Sequence, residues 1–224
     1  MEIIDFIKLN IKIMSEKINE QERMEIEKDI FIKSLRFGLL DSALEVQKRV
    51  GDKIDWKKIP GYDKAVENCF LQNLKNLYTD KLLYIQNNLA EGKDLSTIEN
   101  YKNIVFESIW NKMENESSFS EIMDFLETDL GKNIKIEDAP DYEKRMSKIF
   151  SLALERLDIK EVEKIKENFA KNLDLKIVIK DVFNFFMRRG EIKKALDIKK
   201  SFIAKDIDFT EDTKNNLDYL WNKK

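Results

Sequence analysis

Apolar positions recur along the chain in short stripes of one helical face. The segments IIDFIKLNI from residue 3, ALEVQKRV from 43, LLYIQNNL from 82, IMDFLETDL from 122, VEKIKENF from 162 and ALDIKKSF from 195 carry this pattern. Each places apolar side chains at offsets 0, 3 and 7 or 8, often with another at offset 1, as an α-helix burying one side requires. Their starts lie 40, 39, 40, 40 and 33 residues apart. Self-similarity at a near-fixed period is the mark of a repeat architecture, and these segments are its B helices.

The stretches between them repeat as well. Twelve residues beyond the last apolar residue of three B helices (Val50, Leu89, Leu130) stand Tyr62, Tyr101 and Tyr142. Six and nine residues on come Trp56 and Ile59, Leu95 and Ile98, Ile136 and Ala139, and at ten Pro60 and Pro140. Proline fixes φ and lacks an amide proton, so these connectors predict anchored turns that lead into a second, A, helix.

A stripe of helical spacing starts at each tyrosine. It runs Tyr62, Ala65, Val66, Cys69, Phe70, Leu74, Leu77 in one copy, and Tyr101, Ile104, Val105, Ile109, Trp110, Met113 in the next. Tyr142, Met146, Ile149, Phe150, Ala153, Leu154, Leu157 form a third copy, Val178, Val182, Phe185, Phe186 a fourth, and Met24, Phe31, Ile32, Leu35 a looser one. Capping boxes are predicted at Ser118 with Glu121 and Asp158 with Glu161 before B helices, and at Ser96 with Glu99 before an A helix.

A lone helix pair cannot bury so wide a stripe, and stacked neighbours can. The expected fold is all-α, a right-handed α-solenoid of stacked antiparallel helix pairs with about ten to eleven helices. It forms one domain over 1–224, with units near 3–23, 24–61, 62–100, 101–141, 142–177 and 178–209. A terminal helix over 210–224 is expected to cover the last pair with Leu217, Leu220 and Trp221.

Composition agrees with helices: charged residues make up 37%, while the chain has only 6 Gly and 2 Pro. The net charge of −3 disfavours a general nucleic-acid binder and leaves room for a local basic patch. With one cysteine an intramolecular disulfide is excluded, and with no histidine the commonest transition-metal ligand is missing. Glu2, Asp5, Lys8 and Lys12 argue against a signal peptide, and no stretch matches a membrane span. A reducing cytoplasm is the expected setting, with no membrane contact.

The stretch FFMRRGEIKKALDIKKSFIAKDIDFT (185–210) resembles the tetratricopeptide and pentatricopeptide class of helical-hairpin repeats. Gly190 stands where those families turn after an apolar-aromatic helix, and Ala195, Leu196 and Ile198 stand in their A-L-x-[IL/F] core. FGLLDSALEV (37–46) is a shorter match. The period of 39 or 40 departs from the 34 or so residues of that class and lies nearer the ~40–47 of HEAT and armadillo units. The resemblance implies a binding module. Pentatricopeptide-like proteins read single-stranded RNA through polar residues at set positions; here Asp63-Lys64, Lys102-Asn103 and Glu143-Lys144 share no polar type.

Candidate chemistry is sparse. Cys69 has no histidine to serve as its base and falls on an apolar stripe, which makes it a core thiol. The carboxylates form no calcium loop and the scattered glycines no phosphate-binding loop, so no cofactor or metal is expected. Trp56, Trp110, Phe185 and Phe186 fit core positions, whereas Phe183 falls off the stripe and is expected to be exposed.

Charge is unevenly spread. From Glu114 to Glu143, 10 acids face 2 lysines, and from Arg188 to Lys205, 7 bases face 2 acids. This pattern suggests partner contacts at Glu121, Asp124, Glu127 and Asp129 and at Arg188, Arg189, Lys193 and Lys194, steered by complementary charge. The expected function is a non-enzymatic protein-binding adaptor or scaffold. RNA binding through the C-terminal basic patch is the second reading.

Overall fold

A computed structural model describes residues 19–115 and 119–222 of the chain. The predicted B segment at 3–11, the cap at Ser118 and the side chains of Leu220 and Trp221 lie outside what is described. The described residues form eleven α-helices and no strand. The A helices are α1 (Glu20–Arg36), α3 (Tyr62–Leu74), α5 (Tyr101–Asn115), α7 (Tyr142–Glu155) and α9 (Lys176–Arg188). They alternate with the B helices α2 (Leu40–Val50), α4 (Thr79–Tyr84, continued by a π-turn Ile85–Leu89), α6 (Phe119–Leu126), α8 (Ile159–Asn168) and α10 (Ile192–Lys200). Helix α11 (Thr210–Asn222) follows. Packing divides the chain into two compact units: the first runs to Ser108 and includes Glu121–Lys132, and the second is made of the rest.

Inside each B helix the same two offsets are buried. Ala43, Leu82, Ile122, Val162 and Ala195 at offset 0 are fully covered, and Val46, Ile85, Phe125, Ile165 and Ile198 at offset 3 are at most 3% exposed. Burial of that order stabilises by roughly 1.5–3 kcal/mol for each larger aliphatic or aromatic side chain, so these positions hold each helix to its pair.

The connectors reproduce their register atom by atom. Trp56, Leu95 and Ile136 are buried and each opens a 3₁₀ turn, after which the carbonyls of Ile59, Ile98 and Ala139 accept from the amides of Tyr62, Tyr101 and Tyr142. Just before each tyrosine the backbone is left-handed, at Gly61 (φ 82°), Asn100 (63°) and Asp141 (56°), the residue types that tolerate this conformation best. The Tyr62 and Tyr101 hydroxyls donate to the carbonyls of Leu89 and Leu130 at 3.1 and 2.8 Å, and the Tyr142 hydroxyl donates to that of Phe169. Each tyrosine thus ties the start of an A helix to the last apolar residue of the B segment that follows. Each ring also meets an aromatic ring of the preceding A helix: Phe31 with Tyr62, Phe70 with Tyr101, Trp110 with Tyr142, at 6.2 to 6.4 Å.

Four of the turns from A to B close by one scheme. The amides of Leu39, Tyr78, Asp158 and Glu191 reach back five residues to Ser34, Asn73, Ala153 and Phe186, and the residue before each is left-handed: Gly38, Leu77, Leu157 and Gly190. At Gly38 the space is as demanding as the angle, because a Cβ would stand 2.6 Å from that of Gln72. Its carbonyl accepts from the buried Asn73 amide at 3.1 Å, which ties this turn to α3.

Helix α1 starts at Glu20, where the Asn19 side chain caps it by accepting from the Glu22 amide at 2.8 Å. Three expectations need correction. Ser96 caps no A helix: its amide and hydroxyl both donate to Asp94 within the 3₁₀ turn, and α5 begins five residues later at Tyr101. The stripe of α9 is rotated from the expected one, so Phe183 is 1% exposed against Phe209, 4.6 Å away, and Phe185 is 41% exposed. Leu217 is exposed as well, because α11 turns Asn216 inward. The Asn216 amide donates to Asn184 at 2.5 Å and to the Asp212 carbonyl at 2.7 Å, so a polar ladder docks this helix on α9. At Asp158 the expected cap is present, its carboxylate accepting from the Glu161 amide at 3.0 Å.

Candidate partner-binding surface

The four bases of the C-terminal cluster have different surroundings. Arg188 ends α9 and donates through Nε to Asn216 at 3.3 Å, alongside the ladder to α11. Arg189 pairs with Glu191 at 2.8 Å and lies 5.1 Å from the Phe185 ring. Lys194 pairs with the same Glu191 at 2.5 Å and lies 5.2 Å from the Phe186 ring. The two cations, through hydrogen bonds led by that of Lys194, hold the Glu191 carboxyl below its usual range. Lys193 is exposed and its side chain makes no hydrogen bond or ion pair among the described residues.

The cluster is therefore two surfaces. On one flank of α10, Arg189, Glu191 and Lys194 form a closed triad against Phe185 and Phe186. On another face Lys193 lies with Ile192, Leu196 and Lys200, spaced so that all four share one side of the helix. Ile192 is 44% and Leu196 41% exposed. Ile192 carried no signal of its own in the sequence, and Leu196, expected in the A-L core with Ala195 and Ile198, faces outward because the inner face of α10 is occupied by those two residues. The signal was available in the register: Leu40 and Leu44 occupy the same positions in α2, where Leu40 is buried and Leu44 half-buried.

The predicted acids belong to the first unit, Glu121 and Asp124 on α6 and Glu127 and Asp129 just beyond it. Asp124 and Glu127 are exposed, and Asp129 pairs with Lys132 at 2.6 Å.

Two hollows are also present. A groove of about 570 Å³ runs between α1 and residues 53–60, with Met24, Ile32, Ile54 and Ile59 among its walls. Its charges are largely paired across short distances, as in Lys28 with Glu25 and Lys58 with Asp55. A smaller hollow of about 320 Å³ lies over the Asn184, Asp212 and Asn216 ladder. There the Asn184 amide, followed by Lys180, keeps the Asp212 carboxyl below its ordinary range.

Cys69 is completely covered, and burial pushes its thiol up to about 12, which leaves the nucleophilic thiolate unpopulated at neutral pH. Among the described residues no group of three or more potential ligands is placed to hold a metal ion, and no helix is long and apolar enough to cross a membrane. Comparison with known families, curated proteins and solved structures finds no match to this chain.

Proposed function

We propose that this chain is a non-enzymatic protein-binding module, an adaptor or scaffold whose helix pairs stack as a right-handed α-solenoid of the tetratricopeptide-like kind and which works in the cytoplasm. The observation that carries the reading is the pattern of exposure. Register positions that are covered in α2 are open in α10, and they are apolar and flanked by lysines. Helical repeats offer extended surfaces to partners, and an apolar pair ringed by unpaired charge is what a helical or extended segment of another protein would cover.

Purification of the tagged chain from its own cells at low salt, with and without nuclease, tests this directly. A stoichiometric protein that stays bound after nuclease is the expected result. Co-eluting nucleic acid that leaves with rising salt would displace it in favour of an RNA-binding repeat, whose phosphate contacts release counterions and so weaken steeply with salt.

A further inference from the structure

We infer that the face of α10 formed by Ile192, Lys193, Leu196 and Lys200 docks an amphipathic helix of a partner protein whose apolar stripe is flanked by carboxylates. The inference deepens the protein-binding reading and rests on it.

Helix α2 carries the equivalent face inside the chain. Leu40, Asp41, Leu44 and Lys48 hold the positions of Ile192, Lys193, Leu196 and Lys200. From the next B helix, α4, Lys81 reaches Asp41 with 2.5 Å between Nζ and Oδ2. A neighbouring helix thus brings a cation to the acid at this register. On α10 the apolar pair is kept and the charge at the equivalent position is reversed, from Asp41 to Lys193. A helix that approaches α10 at this register, as α4 approaches α2 through Lys81, would therefore bring a carboxylate to Lys193.

Lys200 lies one turn beyond Leu196 on the same side and adds a second cation. Neither Lys193 nor Lys200 is held by an ion pair among the described residues, so both can be neutralised by a partner without first breaking an internal bridge. Arg189 and Lys194, held by Glu191, are not needed for this contact.

The probe is a synthetic helical peptide of about 20 residues, long enough to be helical, with a Leu/Ile stripe flanked by glutamates. Its counterpart carries lysine at each glutamate. Both are titrated against the ¹⁵N-labelled full chain, with exposed positions chosen so that the variants Ile192→Ser with Leu196→Ser, and Lys193→Glu with Lys200→Glu, keep the wild-type fold by circular dichroism.

The acidic peptide is expected to shift amides of residues 189–200. Its affinity should fall about tenfold or more in either double variant, as loss of desolvated apolar and charged contacts entails. The lysine peptide should bind the Lys193→Glu, Lys200→Glu chain better than the wild type. Shifts confined to other helices, equal binding of both peptides, or failure of the charge reversal to exchange their preference would overturn the inference. Binding of anionic phospholipid vesicles that depends on the same four residues, without binding of the acidic peptide, would also overturn it and assign the face to a membrane surface. If a native partner co-purifies equally well with the wild type and with both double variants, this face is wrong while the protein-binding reading stands.

Discussion

Helices α2 and α10 are the same element used in two ways. Both follow a left-handed glycine, Gly38 or Gly190, and both bury Ala and an aliphatic residue at offsets 0 and 3. They part at two flanking positions of the face: Leu40 is 2% exposed and Leu44 half-buried, whereas Ile192 and Leu196 are 44% and 41% exposed. Sequence similarity reports the shared inner face. Where similar residues lie in different surroundings, the difference marks which copy leaves its apolar edge exposed.

The largest expected effect separates the copies by stability. Leu40→Ala should cost about 3 kcal/mol by leaving a cavity, and Ile192→Ala should stay within about 0.5 kcal/mol, as measured by chemical denaturation. Equal losses would mean that the α10 face is covered in solution and would break the comparison.

The glycines sharpen it further. Gly38→Ala combines a left-handed backbone with a clash against Gln72, and should cost about 2 to 3 kcal/mol. Gly190→Ala shares the angle but meets nothing within 4 Å, so about 1 kcal/mol is expected from backbone strain alone. If thermal melts rank the two the other way, the tie between the first turn and α3 is not what holds that turn.

A smaller effect concerns the tyrosines, which α2 and α10 lack. Tyr101→Phe removes a buried hydrogen bond to the end of a B segment and leaves its carbonyl unpaired, a loss of about 1 to 2 kcal/mol. A change below a few tenths in denaturant titrations would show that the ring contact with Phe70 does the holding.

The smallest effect at neutral pH is electrostatic. Burial raises the Tyr62 phenol from near 10 to about 12, so the folded state keeps its proton where the unfolded chain releases it. That contribution is complete below pH 10, falls as pH rises from 10 to 12 and is lost above. Absorbance titration should find phenolate from Tyr62 appearing only with unfolding; an ordinary, early titration would show that the hydroxyl is accessible.

Much of the fold was legible because the recurring spacing carries its own checks. Tyr62, Tyr101 and Tyr142, the anchors Trp56, Leu95 and Ile136, and the burial of Cys69 all follow from spacing. Spacing also contained the left-handed series Gly61, Asn100 and Asp141, which becomes visible once the tyrosine is recognised as a helix start. The run VFNFF in α9 was ambiguous because adjacent aromatics fit two rotations of one helix, and only the contact of Phe183 with Phe209 decides between them. The buried Glu27, held by Arg49 through two hydrogen bonds of 3.0 and 2.5 Å, had no local signal, since a carboxylate alone predicts an exposed face. In the candidate surface Lys193 was visible as charge, but the exposure of Ile192 and of Leu196, which the A-L motif placed in the core, was not, because a helical stripe does not say which of its edges a neighbour covers.

The most direct test of the contrast between α2 and α10 is hydrogen–deuterium exchange of the full chain, alone and with any protein found to co-purify with it after nuclease treatment. Slowed exchange over residues 189–200, with 40–50 unchanged, is the predicted result. Protection confined to 40–50 or to 121–129, with 189–200 exchanging as in the free chain, would contradict it.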